Sequence, residues 1–169
     1  NEDAEHLFEA DDFYYTDEIT DYALEFMDEG VAKESPFFLY VSYTAAHWPL
    51  HADEEDIEPY KGKYAMGWDQ LRLDRHARMK ELGVVNADWE LSPRNPEVPA
   101  WEDEEHKEWQ QRRMEVYAGQ ITRMDRGIGC LLDALEASGE ADNTLVMFQV
   151  DNGGCHVEYT PERTGIFLK

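Results

Sequence analysis

Two short runs, Phe37-Phe38-Leu39-Tyr40-Val41-Ser42-Tyr43 and Thr144-Leu145-Val146-Met147-Phe148-Gln149-Val150, are apolar at nearly every position. A strand with one wet face alternates apolar and polar side chains. A run without that alternation reads as a strand covered on both faces, as in parallel sheets. Each run follows a stretch of helical periodicity, and each ends in polar residues. Helix, strand, helix, strand predicts an α/β fold, a mostly parallel sheet flanked by helices. Such sheets bind ligands off the carboxyl ends of their strands, the places that His47 and the Asp151-Asn152 pair occupy in the sequence.

The helical stretches can be placed from their apolar spacing. Thr16 is expected to cap a first helix, with Asp17 and Glu18 in the turn where the helix dipole favours negative charge. Ile19, Ala23, Phe26 and Met27 continue it, and the pattern fades after Gly30. Phe13-Tyr14-Tyr15, in the acidic and aromatic segment before it, reads as packing. Pro49 ends any regular element after the first run. Residues 52–62 read as an acidic loop, 64–82 as a second helix with Gly83 at its C-terminal cap, and 84–100, with Pro93, Pro96 and Pro99, as a long loop. Tyr117, Ile121, Met124, Ile128, Leu131 and Leu135 form one stripe of a third helix that Ser138-Gly139 closes.

The chain of 169 residues is long enough for one domain, or for a piece of a larger one, and at 42% hydrophobic it can bury a core. No apolar run approaches the ~18 residues of a membrane span. Acidic residues number 38 against 15 basic ones, for a formal net charge of -23. That charge repels nucleic acid and anionic membranes, which are polyanions themselves. Most of these carboxylates read as a solvated surface. Cys130 and Cys155 make no disulfide framework and are either free thiols or a single bridge. The chain starts at Asn1 with no basic-then-apolar leader, so no secretory signal is expected within it.

Few groups carry chemistry. Asp151-Asn152-Gly153-Gly154 offers a carboxylate and an amide carbonyl, hard oxygen donors suited to calcium or magnesium. Its glycines permit a sharp turn, and an ordinary turn is the alternative reading. His47 stands between a buried run and Trp48-Pro49; it is either a functional imidazole or one satisfied by nearby backbone. His47 and His51 have the spacing of a helical metal pair, but Pro49 between them argues against a helical zinc site. There is no Gly-rich phosphate loop, no Gly-x-Ser-x-Gly elbow and no Cys-x-x-Cys pair. Cys130 is expected to pack within the third helix, and nothing near Cys155 would activate its thiol.

Several blocks in order resemble the sulfatase family of the alkaline-phosphatase-like superfamily, and within it the calcium-dependent bacterial arylsulfatases. They are Phe13-Tyr14-Tyr15-Thr16-Asp17, Pro36-Phe37-Phe38-Leu39-Tyr40-Val41, Ala46-His47-Trp48-Pro49-Leu50-His51, Tyr60-Lys61-Gly62-Lys63-Tyr64, Arg78-Met79-Lys80-Glu81-Leu82-Gly83, Met124-Asp125-Arg126-Gly127-Ile128-Gly129, and Asp142-Asn143-Thr144-Leu145-Val146 through Asp151-Asn152-Gly153-Gly154. Relatives usually have Pro where Ala46 stands and Ser where Val150 stands. The family's Cys/Ser-x-Pro-x-Arg motif, whose first residue becomes formylglycine, is absent from the sequence. Its N-terminal pair of metal-binding aspartates is not identifiable with Asp11-Asp12, and Lys169 is not matched to its downstream sulfate-binding lysine.

The resemblance implies that residues 1–169 are the central segment of a partial sulfatase domain, without the nucleophile region and the C-terminal part. It implies that Asp151 and Asn152 are calcium ligands and that His47 contacts the sulfate and assists the leaving oxygen. In the full enzyme a hydrated formylglycine would attack sulfur, with calcium neutralising the sulfate oxygens. The segment alone is expected to be inactive and to bind calcium weakly, because calcium takes ~6–8 oxygens. The expected partner is a sulfate ester, an aryl sulfate or a sulfated glycan, although the acidic surface would steer highly sulfated polymers away. Relatives are typically periplasmic, secreted or lysosomal. The rival readings are a phosphoester or phosphonate hydrolase of the same superfamily, and a non-catalytic acidic binding module.

Overall fold

The structure is a computed structural model that describes residues 13–33 and 35–154. Its helices are α1 (Tyr15–Ala32), α2 (Glu54–Ile57), α3 (Gly67–Glu81) and α4 (Lys107–Ala137), with single 3-10 turns at Glu58–Tyr60, Trp101–Asp103 and Ala141–Asn143. The described residues fall into two compact units. One is formed by the chain up to Pro49 and from Gln120 onward, the other by Leu50–Gly119.

In the first unit, α1 begins one residue before Thr16. Tyr14 takes the capping position without a side-chain bond, and its carbonyl accepts the amides of Asp17 and Glu18. Thr16 therefore is not the cap. It is buried, as are Thr20, Ala23 and Met27 on the same side of the helix. Helix α1 also runs past Gly30 to Ala32. Gly30 is needed there for contact, because a Cβ would stand 3.1 Å from the Phe37 ring.

Residues 120–137 of α4 supply the rest of this unit's helical framework, and Leu135 is buried as its stripe predicts. Ser138 donates from Oγ to the Leu135 carbonyl, and Gly139 turns the chain with a φ of +80°, so the expected closure is present. The Arg123 guanidinium grips Asp17 through Nε and Nη2 and lies 5.1 Å from the centre of the Tyr14 ring. Arg123 is the more buried partner, at 16% side-chain exposure against 39% for Asp17. Water therefore screens part of the attraction. Replacing Arg123 with Met keeps the stem and removes the fork. A loss of about 1–2 kcal/mol is expected, read as a lower urea midpoint at unchanged slope.

The two apolar runs also belong to this unit, and they differ from their expected form. Among the described residues neither is hydrogen-bonded into a strand ladder. Phe38 is 85% exposed and Leu145 80%, with Tyr40, Met147, Phe148 and Val150 similarly open. A strand exists only through a neighbouring strand that accepts its backbone bonds, and two-sided burial needs layers above and below. The described residues provide no such neighbour.

The second unit packs Leu50, Ala52, Ile57, Trp101, Val116 and Ala118 into its core. Residues 52–62 are more ordered than an acidic loop. Glu54, Glu55 and Asp56 occupy the first turn of α2, where the dipole favours carboxylates. Gly119 allows close approach, since a Cβ there would lie 3.1 Å from that of Ala52 and 3.2 Å from Ile57 Cγ1. The first part of α4 is charged and starts ten residues before the apolar stripe that predicts it. Arg112 reaches Glu54 at 2.6 Å and draws that carboxyl below the usual carboxylate range by its hydrogen bond. Glu115 is buried and accepts the Gly62 amide at 2.8 Å.

Helix α3 matches its expected end, with Gly83 at a φ of +70° after Leu82, but starts at Gly67 rather than 64. The long loop 84–100 is fastened to it. Trp68 donates from Nε1 to the Pro99 carbonyl and meets Trp101 edge-on at 4.7 Å. Asp69 accepts the Trp101 amide and the Arg94 guanidinium, each at 2.8 Å, and both bonds hold its carboxyl below the usual range.

Candidate functional site

His47 lies in the first unit, at the end of a turn that begins with Thr44. The turn is closed by its own amide, which donates to the Thr44 carbonyl at 2.8 Å. The imidazole is exposed, and its Nδ1 is 2.7 Å from the Trp48 carbonyl. A carbonyl only accepts, so Nδ1 carries the hydrogen. The bond is compatible with a neutral or a charged ring, and it engages one ring nitrogen only. Of the two readings of His47, the structure shows the bond to nearby backbone at Nδ1.

Asp151 and Asn152 lie in the same unit, exposed, in a bend that continues through Gly153 and Gly154. The Asn152 amide donates to Asp151 Oδ1 at 3.0 Å. That bond engages Oδ1 of the exposed carboxylate; Oδ2 and the Asn152 side-chain oxygen are the other hard oxygens of the pair. Two hard oxygens on adjacent residues fit calcium or magnesium in kind, and they are fewer than calcium's usual ~6–8. No hydrogen bond joins His47 to this pair among the described residues.

Other sequence expectations resolve differently. Cys130 is an exposed free thiol rather than a packed one; it falls between Ile128 and Leu131 and so off the buried side of α4. Cys155, Asp11, Asp12 and Lys169 lie outside the described residues. A different acidic group is found in the second unit, where carboxylate oxygens of Asp53, Glu55 and Asp56 lie within 4.8 Å of one another. These three could hold a cation, although all have partners within the fold. The Asp53-Glu54-Glu55-Asp56 run was the available signal, and it is explained by the first turn of α2. A groove of about 330 Å³ in the first unit is lined by Phe13, Tyr15, Tyr22, Phe26, Leu39 and Tyr40 and contains none of the candidate residues.

The family model for Sulfatase matches residues 1–165, and the chain belongs to the sulfatase family. It is 36% identical to an arylsulfatase of Klebsiella aerogenes over 95% of its own length, and 40% identical to an uncharacterized sulfatase of Schizosaccharomyces pombe over 72%. An arylsulfatase of Clostridium perfringens is 27% identical over 78% of the chain. The chain spans 36%, 22% and 25% of the lengths of these relatives. Among the described residues no helix is long and apolar enough to cross a membrane.

Proposed function

We propose that this chain is the central part of a sulfuric ester hydrolase, to which it contributes the leaving-group side of the active site and two ligands of a calcium ion. The observation that carries the reading is the fixed imidazole. With Nδ1 committed to the Trp48 carbonyl at 2.7 Å, His47 has a single reactive nitrogen. With hydrogens on both nitrogens, the His47 imidazolium can donate Nε2–H to the ester oxygen as negative charge builds on it during S–O cleavage, and the neutral ring left behind, still bonded through Nδ1–H, can take up a proton again at Nε2.

Asp151 Oδ2 and the Asn152 carbonyl oxygen would hold calcium, which when bound supplies positive charge against the sulfate oxygens. The remaining ligands and the formylglycine nucleophile would belong to other parts of the whole enzyme, in keeping with relatives of which this chain spans 36%, 22% and 25%. The same reading gives the runs 37–43 and 144–150 their place, as strands of a mostly parallel sheet flanked by helices. Their exposed apolar side chains would be covered by layers that the longer chain provides. The substrate class is a sulfate ester, with aryl sulfates favoured over highly sulfated polymers because the acidic surface repels the latter. The family resemblance supports a periplasmic, secreted or lysosomal setting.

The test is metal removal on the whole enzyme with an aryl sulfate and the matching aryl phosphate. Chelation should lower sulfate ester hydrolysis roughly 10²-fold or more, with calcium restoring it and Asp151→Asn raising the calcium needed. Hydrolysis that is unchanged by chelation, or faster with the phosphate, would refute the reading.

A further inference from the structure

Thr20 and Tyr43 meet over Gly127. Thr20 is 6% exposed, and its hydroxyl donates to the Thr16 carbonyl at 3.1 Å. A hydroxyl has one hydrogen, so the second contact, 2.8 Å to Tyr43 Oη, must have Tyr43 donating and Thr20 accepting. Gly127 leaves the room for this pair. A Cβ there would overlap Thr20 Oγ1 and stand 3.0 Å from Tyr43 Oη. Three parts of the first unit are thus joined at one point: α1, the end of the first apolar run, and α4.

That point is next to the catalytic turn. Thr44, the neighbour of Tyr43, supplies the carbonyl that the His47 amide closes onto at 2.8 Å. Between the pinned phenol and the imidazole there is therefore one tight turn and no free length of chain. We propose that Tyr43 is a positioning residue for His47: its hydroxyl, held by Thr20 over Gly127, fixes the end of the run from which the turn departs and so fixes the imidazole. This rests on the role proposed for His47. Burial raises the Tyr43 phenol above its ordinary value, an effect that Cys130 and Asp17 reinforce. The phenol stays neutral through the neutral and mildly alkaline range and remains a donor throughout it.

Two measurements test this and separate it from the reading beneath it. The first is long-range 1H–15N NMR of the whole enzyme labelled with 15N-histidine, with the His47 resonances assigned by His47→Gln. The wild-type ring should show a fixed Nδ1–H tautomer. Tyr43→Phe, which keeps the ring and loses only the hydroxyl, and Thr20→Val, which keeps the shape, should both give a ring exchanging between tautomers. Thr20→Ser should restore the fixed form. The second is aryl sulfate hydrolysis by the whole enzyme, where Tyr43→Phe should lower kcat roughly tenfold with KM nearly unchanged. Fixed His47 resonances in both Tyr43→Phe and Thr20→Val would overturn the positioning role, as would wild-type kcat in Tyr43→Phe alongside a His47→Gln that is inactive. An active His47→Gln would overturn the function reading instead, while the NMR result still decides whether Tyr43 positions the ring.

Discussion

Replacing His47 with Ala in the whole enzyme is expected to lower kcat for an aryl sulfate by roughly 10²–10⁴-fold, the usual worth of a positioned general acid. The size of the loss should depend on the leaving group. A phenol of low pKa leaves without help, because little charge needs to be neutralised on its oxygen. A phenol of high pKa needs the proton that Nε2 would deliver. Plotting kcat against leaving-group pKa should therefore give a steeper line for His47→Ala than for the wild type. KM should change much less, since the contact strengthens as the S–O bond breaks. A uniform loss across the series would mean that the imidazole holds the sulfate in place without transferring a proton. His47→Ala activity equal to wild type would remove the residue from the mechanism.

The second large effect is on stability and concerns Gly67. This residue is buried at the start of α3 with a φ of +76°, and a Cβ there would fall within the Trp101 ring. Gly67→Ala must therefore force a left-handed backbone on alanine and displace an indole from the core of its unit. The first cost is about 1–2 kcal/mol and the second about 1–3 kcal/mol. A total of about 2–5 kcal/mol is expected. The displaced ring would also pull at the bonds that fasten loop 84–100, from the Trp101 amide to Asp69 and from Trp68 to the Pro99 carbonyl. Gly83 provides the control, with a similar φ of +70° and open space around it. Gly83→Ala should show only the backbone cost, about 1–2 kcal/mol. Urea unfolding followed by tryptophan fluorescence measures both, and equal losses in the two variants would show that Trp101 does not press on Gly67.

The contrast between these glycines shows what a sequence does and does not reveal. Gly83 and Gly139 end helices, a local event with a local signal, and both ends were legible. Gly67 serves an indole more than thirty residues away, and no local pattern marks it. The same division holds for the helices. The apolar stripe of α4 was legible down to Leu135, whereas its charged beginning, Lys107 to Glu115, is held by Arg112 with Glu54 and by Glu115 with the Gly62 amide. Those partners are distant in sequence, so periodicity could not find them. Thr16 has the residue type of a cap, a local preference, but sits inside α1 where it is buried with Thr20 on one side of the helix.

The candidate site divides in the same way. His47, Asp151 and Asn152 were legible by residue type and by position after the two apolar runs. The bond from Nδ1 to the Trp48 carbonyl, which leaves one reactive nitrogen, was not. Nor was the hydroxyl pair of Thr20 and Tyr43, whose members are 23 residues apart and need Gly127 on a third element. On the proposed reading, pairing of the two apolar runs would depend on strands from other parts of a longer chain, and the relation between their ends would then be a property of the whole enzyme.

That relation is tested most directly by a crystal structure of the whole enzyme with calcium and inorganic sulfate. We expect one sulfate to accept a hydrogen bond from His47 Nε2 while its other oxygens meet a calcium ion held by Asp151 and Asn152. A calcium ion bound elsewhere, or a His47 that faces away from the anion on the opposite side of the sheet, would contradict the account.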